Sequence, residues 1–312
     1  MAKSKKEQIS NKPFFIRKNR CVSLKLFPLN LNPMFSQTKL KQEVVVLKAV
    51  ILTAGLGTRL LPATKETPKV LLPIFALGKN KKLCVKPVLQ LVFEQLYDVG
   101  FREFCFVVSS RVRRAVKNHF TPDRDFLRYL KEINKQEQAD ELRQFYNKVN
   151  NSTIVFTNQP KPRGTGDAVR RVKNFTGNDV FLLHMGDDLI LSKDENSHLK
   201  RLMKVFRERN ADVAFLAARV KDPTIYGVIA GKQVSAELHE VKTIVYQPKI
   251  PPSNISDVTA YMLKPNIYPE IKKVKPMEKS GEISLIPAIQ SLIDKGGKVY
   301  AVELRRGEKR ID

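Results

Sequence analysis

The sequence predicts an α/β protein built on a doubly wound, mostly parallel sheet, with a smaller and less regular sub-lobe after it. Three observations carry this. Short runs rich in Val, Ile, Leu and Phe recur along the chain, each followed by a stretch of helical period. A glycine turn, "AGLGTR" (54–59), follows directly on the first run. A carboxylate pair, Asp187-Asp188, closes a later run. Ligands of such sheets sit at the carboxyl ends of the strands, so both features are expected along one edge, with Ser109 and Ser110 between them.

The elements follow in order. "VVVLKAVIL" (44–52) reads as a buried strand from its β-branched content. The stretch 86–100 reads as a helix: Pro87 suits its first turn, Leu89, Val92, Phe93 and Leu96 form one apolar stripe, and Gly100 suits its end. "FCFVVSS" (104–110) is the next strand, followed by helical stretches near 111–119 and 124–148. "STIVFTN" (152–158) is a strand, a helix starts at "GTGDAV" (164–169), and "DVFLLHMGDD" (179–188) is another buried strand. A helix near 196–209 and a strand at 212–220 continue the alternation. Beyond 220 the pattern loosens, with proline-containing stretches at 248–252 and 265–276, a helix near 282–294 and a last strand at 298–304.

Composition narrows the function classes. The 312 residues are 42% hydrophobic and 28% charged, enough for a sizeable core. The formal net charge is +25, which suits either a solvated basic surface or an anionic partner. Basic residues interleave with aromatics only weakly, in 13–20, so nucleic acid is disfavoured as that partner. Cys21, Cys84 and Cys105 are scattered, giving neither a disulfide framework nor a zinc knuckle, and they fit a reducing cytoplasm. The four histidines lack metal spacing, and His184, inside a strand, reads as a packed core residue. The apolar run 44–52 is about half the ~20 residues of a membrane crossing, so no membrane is expected.

Residues 1–43 stand apart. They are basic and aperiodic and read as a mobile arm, with a transit peptide, or a start at Met34, as the alternatives. The working domain is expected over 44–312.

The glycine turn matches neither common nucleotide fingerprint. Leu60 stands where a dinucleotide-binding turn has its third glycine, and Gly57-Thr58-Arg59 replaces the Gly-Lys-Ser/Thr of a P-loop. Its physical content survives both failures. Two glycines let backbone amides approach phosphate oxygens, and Arg59 adds a planar fork of donors. Lys69, ten residues on and stiffened by Pro62 and Pro68, is a second cation for the same polyphosphate.

The longer string "AGLGTRLLPATKETPKVLLPI" resembles the signature of the sugar-1-phosphate nucleotidyltransferases, and within them the prokaryotic UTP–glucose-1-phosphate uridylyltransferases. "VKNHFTPDRDF", "NQPKPRGTGDAV", "FLLHMGDDLIL", "DPTIYGVI", "PPSNISDVTAYML" and "GEISLIPAIQSLI" resemble further segments of that family, so the similarity spans about 48–312. It implies the nucleotide-diphospho-sugar transferase fold, which is Rossmann-like, with the sub-lobe binding sugar. It implies transfer of a nucleotidyl group from an NTP, UTP rather than dTTP being favoured, to a sugar 1-phosphate, glucose 1-phosphate being favoured. By the same resemblance Ala54 and Gly55 border the base, and Gly57, Thr58 and Arg59 cover the phosphates. Lys69 bridges the reacting groups, and Gln159 and Gly164 read the base. Asp187 holds Mg²⁺, with Asp312 as the second metal carboxylate. Gly227, Glu282, Tyr246 and Gln247 fall at the sugar-phosphate site. A homo-oligomer is also implied.

The sequence departs from the family in places. Tyr246-Gln247-Pro248 stands where the family has Glu-Lys-Pro, the pair that holds sugar hydroxyls and sugar phosphate. Ile286 and Pro287 replace polar residues, while Glu282 is kept. The family also continues beyond the position of Asp312, so truncation at the C-terminus is expected. These departures keep a second reading open: a catalytically impaired relative that binds nucleotide or sugar nucleotide as a regulator.

Overall fold

In the computed structural model, residues 47–78, 81–278 and 280–311 are described, so the arm expected over 1–43 and the metal role expected of Asp312 lie outside the described residues. The first strand, β1 (Lys48–Leu52), leads through the glycine turn and three 3-10 turns into a hairpin of β2 (Pro73–Leu77) and β3 (Leu83–Pro87). Helix α1 (Val88–Asp98) buries Leu89, Val92, Phe93 and Leu96, the stripe its 3.6-residue period predicts. Strand β4 (Glu103–Val108) and helix α2 (Ser110–His119) follow.

The expected helix over 124–148 is two. α3 (Arg124–Glu132) starts where Asp123 accepts a 2.9 Å hydrogen bond from the Phe126 amide, and α4 (Gln136–Asn150) comes after a break. At the break Asn134 adopts φ +58°, a left-handed conformation that asparagine tolerates.

Strand β5 (Thr153–Asn158), helices α5 (Gly164–Arg171) and α6 (Lys173–Thr176), and strands β6 (Phe181–Met185) and β7 (Leu189–Leu191) lead to α7 (Ser197–Glu208) and β8 (Val213–Arg219). The stretch expected to be irregular is strand-rich instead. β9 (Gly227–Ser235), β10 (Leu238–Tyr246) and β11 (Ile255–Leu263) all join the main sheet. Helices α8 (Ile267–Lys273) and α9 (Ile286–Asp294) and strands β12 (Val299–Glu303) and β13 (Lys309–Ile311) complete the described chain.

The main sheet runs β5-β4-β1-β6-β11-β8-β12-β10-β9. It is mixed, which corrects the expectation of a mostly parallel sheet. β5-β4-β1-β6 and β8-β12 are parallel; β11 is antiparallel to both its neighbours, and β10 to both of its own. Connection length explains one of these pairs. Parallel neighbours need a crossover of a dozen or more residues, whereas two residues join β9 to β10, which pair as a hairpin.

Helices cover both faces. On one, Ala49, Ile51, Phe104 and Phe106 pack with Phe93, Phe145 and Leu202. On the other, Val50, Cys105 and Leu183 pack with Val169, Ile271 and Ile289. The side-chain alternation of β1 and β4 divides one apolar run between two cores. The parallel strands β1, β4, β5 and β6 therefore end along one edge.

Candidate functional site

The edge is stitched together by backbone. Gly186 donates to the Leu52 carbonyl at 2.8 Å, Thr53 donates through both amide and hydroxyl to the Val107 carbonyl at 2.9 and 2.8 Å, and Gln159 donates its amide to Val108 at 2.8 Å. The glycine turn folds over this edge. Gly57 is left-handed (φ +65°), and its carbonyl accepts a 2.8 Å hydrogen bond from the Thr64 hydroxyl. The turn is thereby pressed against Lys69, so that a Cβ on Gly57 would lie 3.1 Å from Lys69 Cβ. Lys69 Nζ in turn reaches Asp187 Oδ2 at 2.9 Å. Gly55, Thr58 and Arg59 are exposed at the rim.

A cleft of about 290 Å³ opens here, lined by Ala54, Gly55, Gly57, Lys69, Gln159, Gly164, Asp187 and Glu282 among others. The structure thus brings together all but two of the residues assigned to nucleotide and catalysis. Thr58 and Arg59 sit beside it on the turn without lining it. Gln159 is 4% exposed and spends its side-chain amide on the Gly164 carbonyl (3.1 Å) and Asp167 Oδ2 (2.9 Å). Burial opposes ionisation of Asp167, but hydrogen bonds from Arg171 and Gln159 outweigh it and hold the carboxyl below its usual range. Gly164 has φ +86°, and a Cβ there would fall 2.6 Å from the Ile283 carbonyl. Only glycine fits, and the start of α5 docks on the segment around Glu282.

A second cleft, of about 200 Å³, shares Gly164, Thr165, Met185 and Glu282 with the first. The consecutive carboxylates part here: Asp187 lines the first cleft and Asp188 the second. Of the residues expected at the sugar phosphate, Gly227, Tyr246 and Glu282 line the second cleft, and Gln247 does not. Gln247 is exposed with φ +46°, its amide tied to the Tyr226 carbonyl (2.8 Å) and its side chain to Ile225 (3.3 Å). Burial, with Glu282 and Asp257 nearby, raises the Tyr246 hydroxyl above its ordinary value.

Sequence reasoning missed Arg310, Tyr226, Asp257 and Tyr261 among the residues of this cleft. Arg310 donates from Nε to Asp188 Oδ2 at 2.8 Å, and its guanidinium lies 5.5 Å from the centre of the Tyr226 ring. Asp257 accepts the Tyr261 hydroxyl, and burial pushes its carboxyl up to about 6 against the hydrogen bonds of Tyr261 and Gly227. A signal was present: Asp257 is the one charged residue in the apolar strand "ISDVTAYML", and Tyr261 lies four residues on, on the same face.

His184 is buried (1% exposed) beneath the edge, with Nδ1 2.7 Å from the Met185 carbonyl, the packed position its sequence context suggested. Ser109 precedes α2 as a buried strand-end residue. Among the described residues no three His, Cys, Asp or Glu side chains group to hold a metal, and no helix is long and apolar enough to cross a membrane.

Comparison with known proteins gives a consistent result. Residues 48–307 match the model of the nucleotidyl transferase family. A UTP–glucose-1-phosphate uridylyltransferase of Streptococcus pneumoniae is 34% identical over 266 residues, covering 83% of this chain and 84% of the relative. One from Streptococcus pyogenes serotype M3 is 32% identical over 274 residues, covering 86% and 85%. Among solved structures, UDP-glucose pyrophosphorylase complexed with UDP-glucose superposes with a TM-score of 0.72 at 26% identity, covering 86% of this chain and 93% of that one. The UTP-bound enzyme of Acinetobacter baumannii gives 0.71 at 25% identity, covering 86% and 88%.

Proposed function

The chain belongs to the nucleotidyl transferase family, and on that premise we propose that it joins UTP to glucose 1-phosphate, giving UDP-glucose and pyrophosphate. One observation carries the reading: two clefts of substrate size share a wall at the carboxyl edge of the sheet, with Lys69 and Asp187 on the larger. The first cleft takes the nucleotide, and the second the sugar.

A phosphate oxygen of the sugar 1-phosphate attacks the α-phosphorus of UTP. The new P–O bond forms as the bond to the bridging oxygen breaks, and pyrophosphate leaves with that electron pair. The attacking oxygen is already anionic near neutral pH, so no general base is needed. The residues act by placing two polyanions together and neutralising their charge. Ala54, Gly55, Gln159 and Gly164 hold the base. The amides of Gly57 and Thr58, with Arg59, hold the β- and γ-phosphates, and Lys69 stands between the reacting phosphates. Gly227, Tyr246 and Glu282 face the sugar.

Asp187 fits Mg²⁺ in the mode that ion adopts with nucleotides, one or two carboxylates supplemented by phosphate oxygens, and its side chain is 34% exposed to the cleft. Bound there, Mg²⁺ would neutralise phosphate charge. Asp312 is the proposed second carboxylate.

We assign this activity to residues 44–312, apart from a basic arm at 1–43, and to the cytoplasm, where the free thiols of Cys84 and Cys105 suit a reducing medium. The doubly wound sheet and a sugar-binding lobe around β9 and β10 belong to the same reading. So does a homo-oligomer, supported by Phe75, Leu77, Leu83 and Val85, which stand exposed on one face of the β2–β3 hairpin where a second copy would cover them.

The test is pyrophosphate release by the full-length protein with Mg²⁺, each NTP and several sugar 1-phosphates. UTP with glucose 1-phosphate should be the best pair. No release from any pair, with NTP still bound, would favour the regulatory relative.

A further inference from the structure

The second cleft carries more negative than positive charge. Asp188, Asp257 and Glu282 line it against a single arginine, Arg310, whose Nε is bound to Asp188. Gln247 lies off the cleft, and Tyr246 brings a hydroxyl rather than a charge. Such a lining disfavours a phosphate and favours groups that donate hydrogen bonds. The phosphate of the second substrate therefore belongs at the shared wall, towards Lys69, and the sugar ring belongs inside.

Within the cleft Asp257 is distinctive. It stands on β11, next to the first residues of β9, where Ser256 pairs with Val228. A Cβ on Gly227 would lie 2.5 Å from Asp257 Oδ1, so glycine is what allows the carboxylate to close on the backbone. Tyr261 donates its hydroxyl, and Gly227 and Asp257 itself their backbone amides, to the carboxyl group. A carboxylate accepts about four hydrogen bonds. Asp257 forms no salt bridge among the described residues, yet it remains partly open to the cleft. A carboxylate with an acceptor site left over in a confined cleft gains from a ligand donor that completes it.

We propose that Asp257 is a specificity-determining residue, whose carboxylate accepts a hydrogen bond from one ring hydroxyl of the sugar 1-phosphate. This rests on the nucleotidyl-transfer reading and names the feature by which its second substrate is selected: a hydroxyl donor facing β11. Tyr261 and the Gly227 amide are positioning groups that hold the carboxylate towards the ring. Arg310, set between Asp188 and Tyr226, keeps the wall from becoming uniformly anionic.

The experiment measures kcat/KM of the full-length protein, with UTP and Mg²⁺, for glucose 1-phosphate and its 2-, 3-, 4- and 6-deoxy analogues, alongside Asp257→Asn. Hydrogen bonds to charged groups are of a size to give about a ten- to hundredfold loss for one deoxy analogue. Asp257→Asn should lose a similar factor on glucose 1-phosphate and little more on that same analogue, with KM for UTP unchanged. Uniform losses across the series, or a wild-type enzyme indifferent to every deoxy analogue, would overturn the assignment; the latter result does not depend on the variant folding. If no sugar phosphate releases pyrophosphate, the transfer reading fails, and calorimetric binding of the same analogues to wild type and Asp257→Asn then decides the role of Asp257 by the same criteria.

Discussion

Lys69 Nζ lies 2.9 Å from Asp187 Oδ2, so the loop after the glycine turn is tied to the end of β6 by an ion pair. The lysine and the carboxylate are each other's counter-charge across the larger cleft. Nucleotide phosphates would displace that pairing, the lysine turning to phosphate and the carboxylate being released for Mg²⁺.

Lys69→Ala is therefore expected to lower kcat for pyrophosphate release by about 10²–10³, the cost of removing one preorganised charge donor from a transferring phosphoryl group. Asp187→Asn should fall by a similar factor and need more Mg²⁺ to reach half-maximal rate. Steady-state assays across a Mg²⁺ series separate the two.

Gly164→Ala should damage fold and site together. Its φ of +86° and the 2.6 Å approach of a Cβ to the Ile283 carbonyl leave no room for the methyl group. A destabilisation of about 1–3 kcal/mol is expected from the backbone strain alone, read as a lower thermal midpoint, together with a raised KM for UTP.

Gln247→Lys should change kcat/KM for glucose 1-phosphate by less than about fivefold, the scale of an exposed ion pair. The side chain lies outside the second cleft, so a lysine there would not reach a phosphate at the shared wall. A gain of fifty- or a hundredfold would show that the strand end rearranges when substrate binds.

Acid should destabilise the fold through His184 and His198, which are 1% and 0% exposed. Burial lowers His184 to about 4 and His198 to about 3 from 6.5. Below pH 6.5 the unfolded chain takes up protons that the native state refuses until those lower values. Stability is thus full above pH 6.5 and falls as the pH drops towards 4, by on the order of 2 kcal/mol per imidazole at pH 5. Urea unfolding at pH 7 and pH 5 measures it, and His198→Leu should shrink the difference.

The proposed nucleotide half of the site was legible as a cluster because it is local. Ala54 to Lys69 is one loop, and Gln159, Gly164 and Asp187 each follow a strand whose apolar run marks its end. The proposed sugar half was legible only in part: Gly227, Tyr246 and Glu282 were expected on the cleft they line, whereas Asp257 and Arg310 reach it through contacts between segments distant in sequence. Asp257 on β11 approaches Gly227 on β9 by pairing, and Arg310 reaches Asp188 across more than a hundred residues. The strands after 220 were obscured for a related reason. The outer half of β9 is exposed, so its polar side chains hide the alternation that betrays a strand.

Asp257 also stands on β11, between β6 and β8 in the middle of the sheet. Enzymes commonly exchange substrate preference through surface loops, which tolerate substitution and insertion. A selecting group fixed in a central strand has no such latitude, since replacing it disturbs the ladder on both sides. This lineage would then diversify its sugar chemistry slowly, by compensated pairs of core changes.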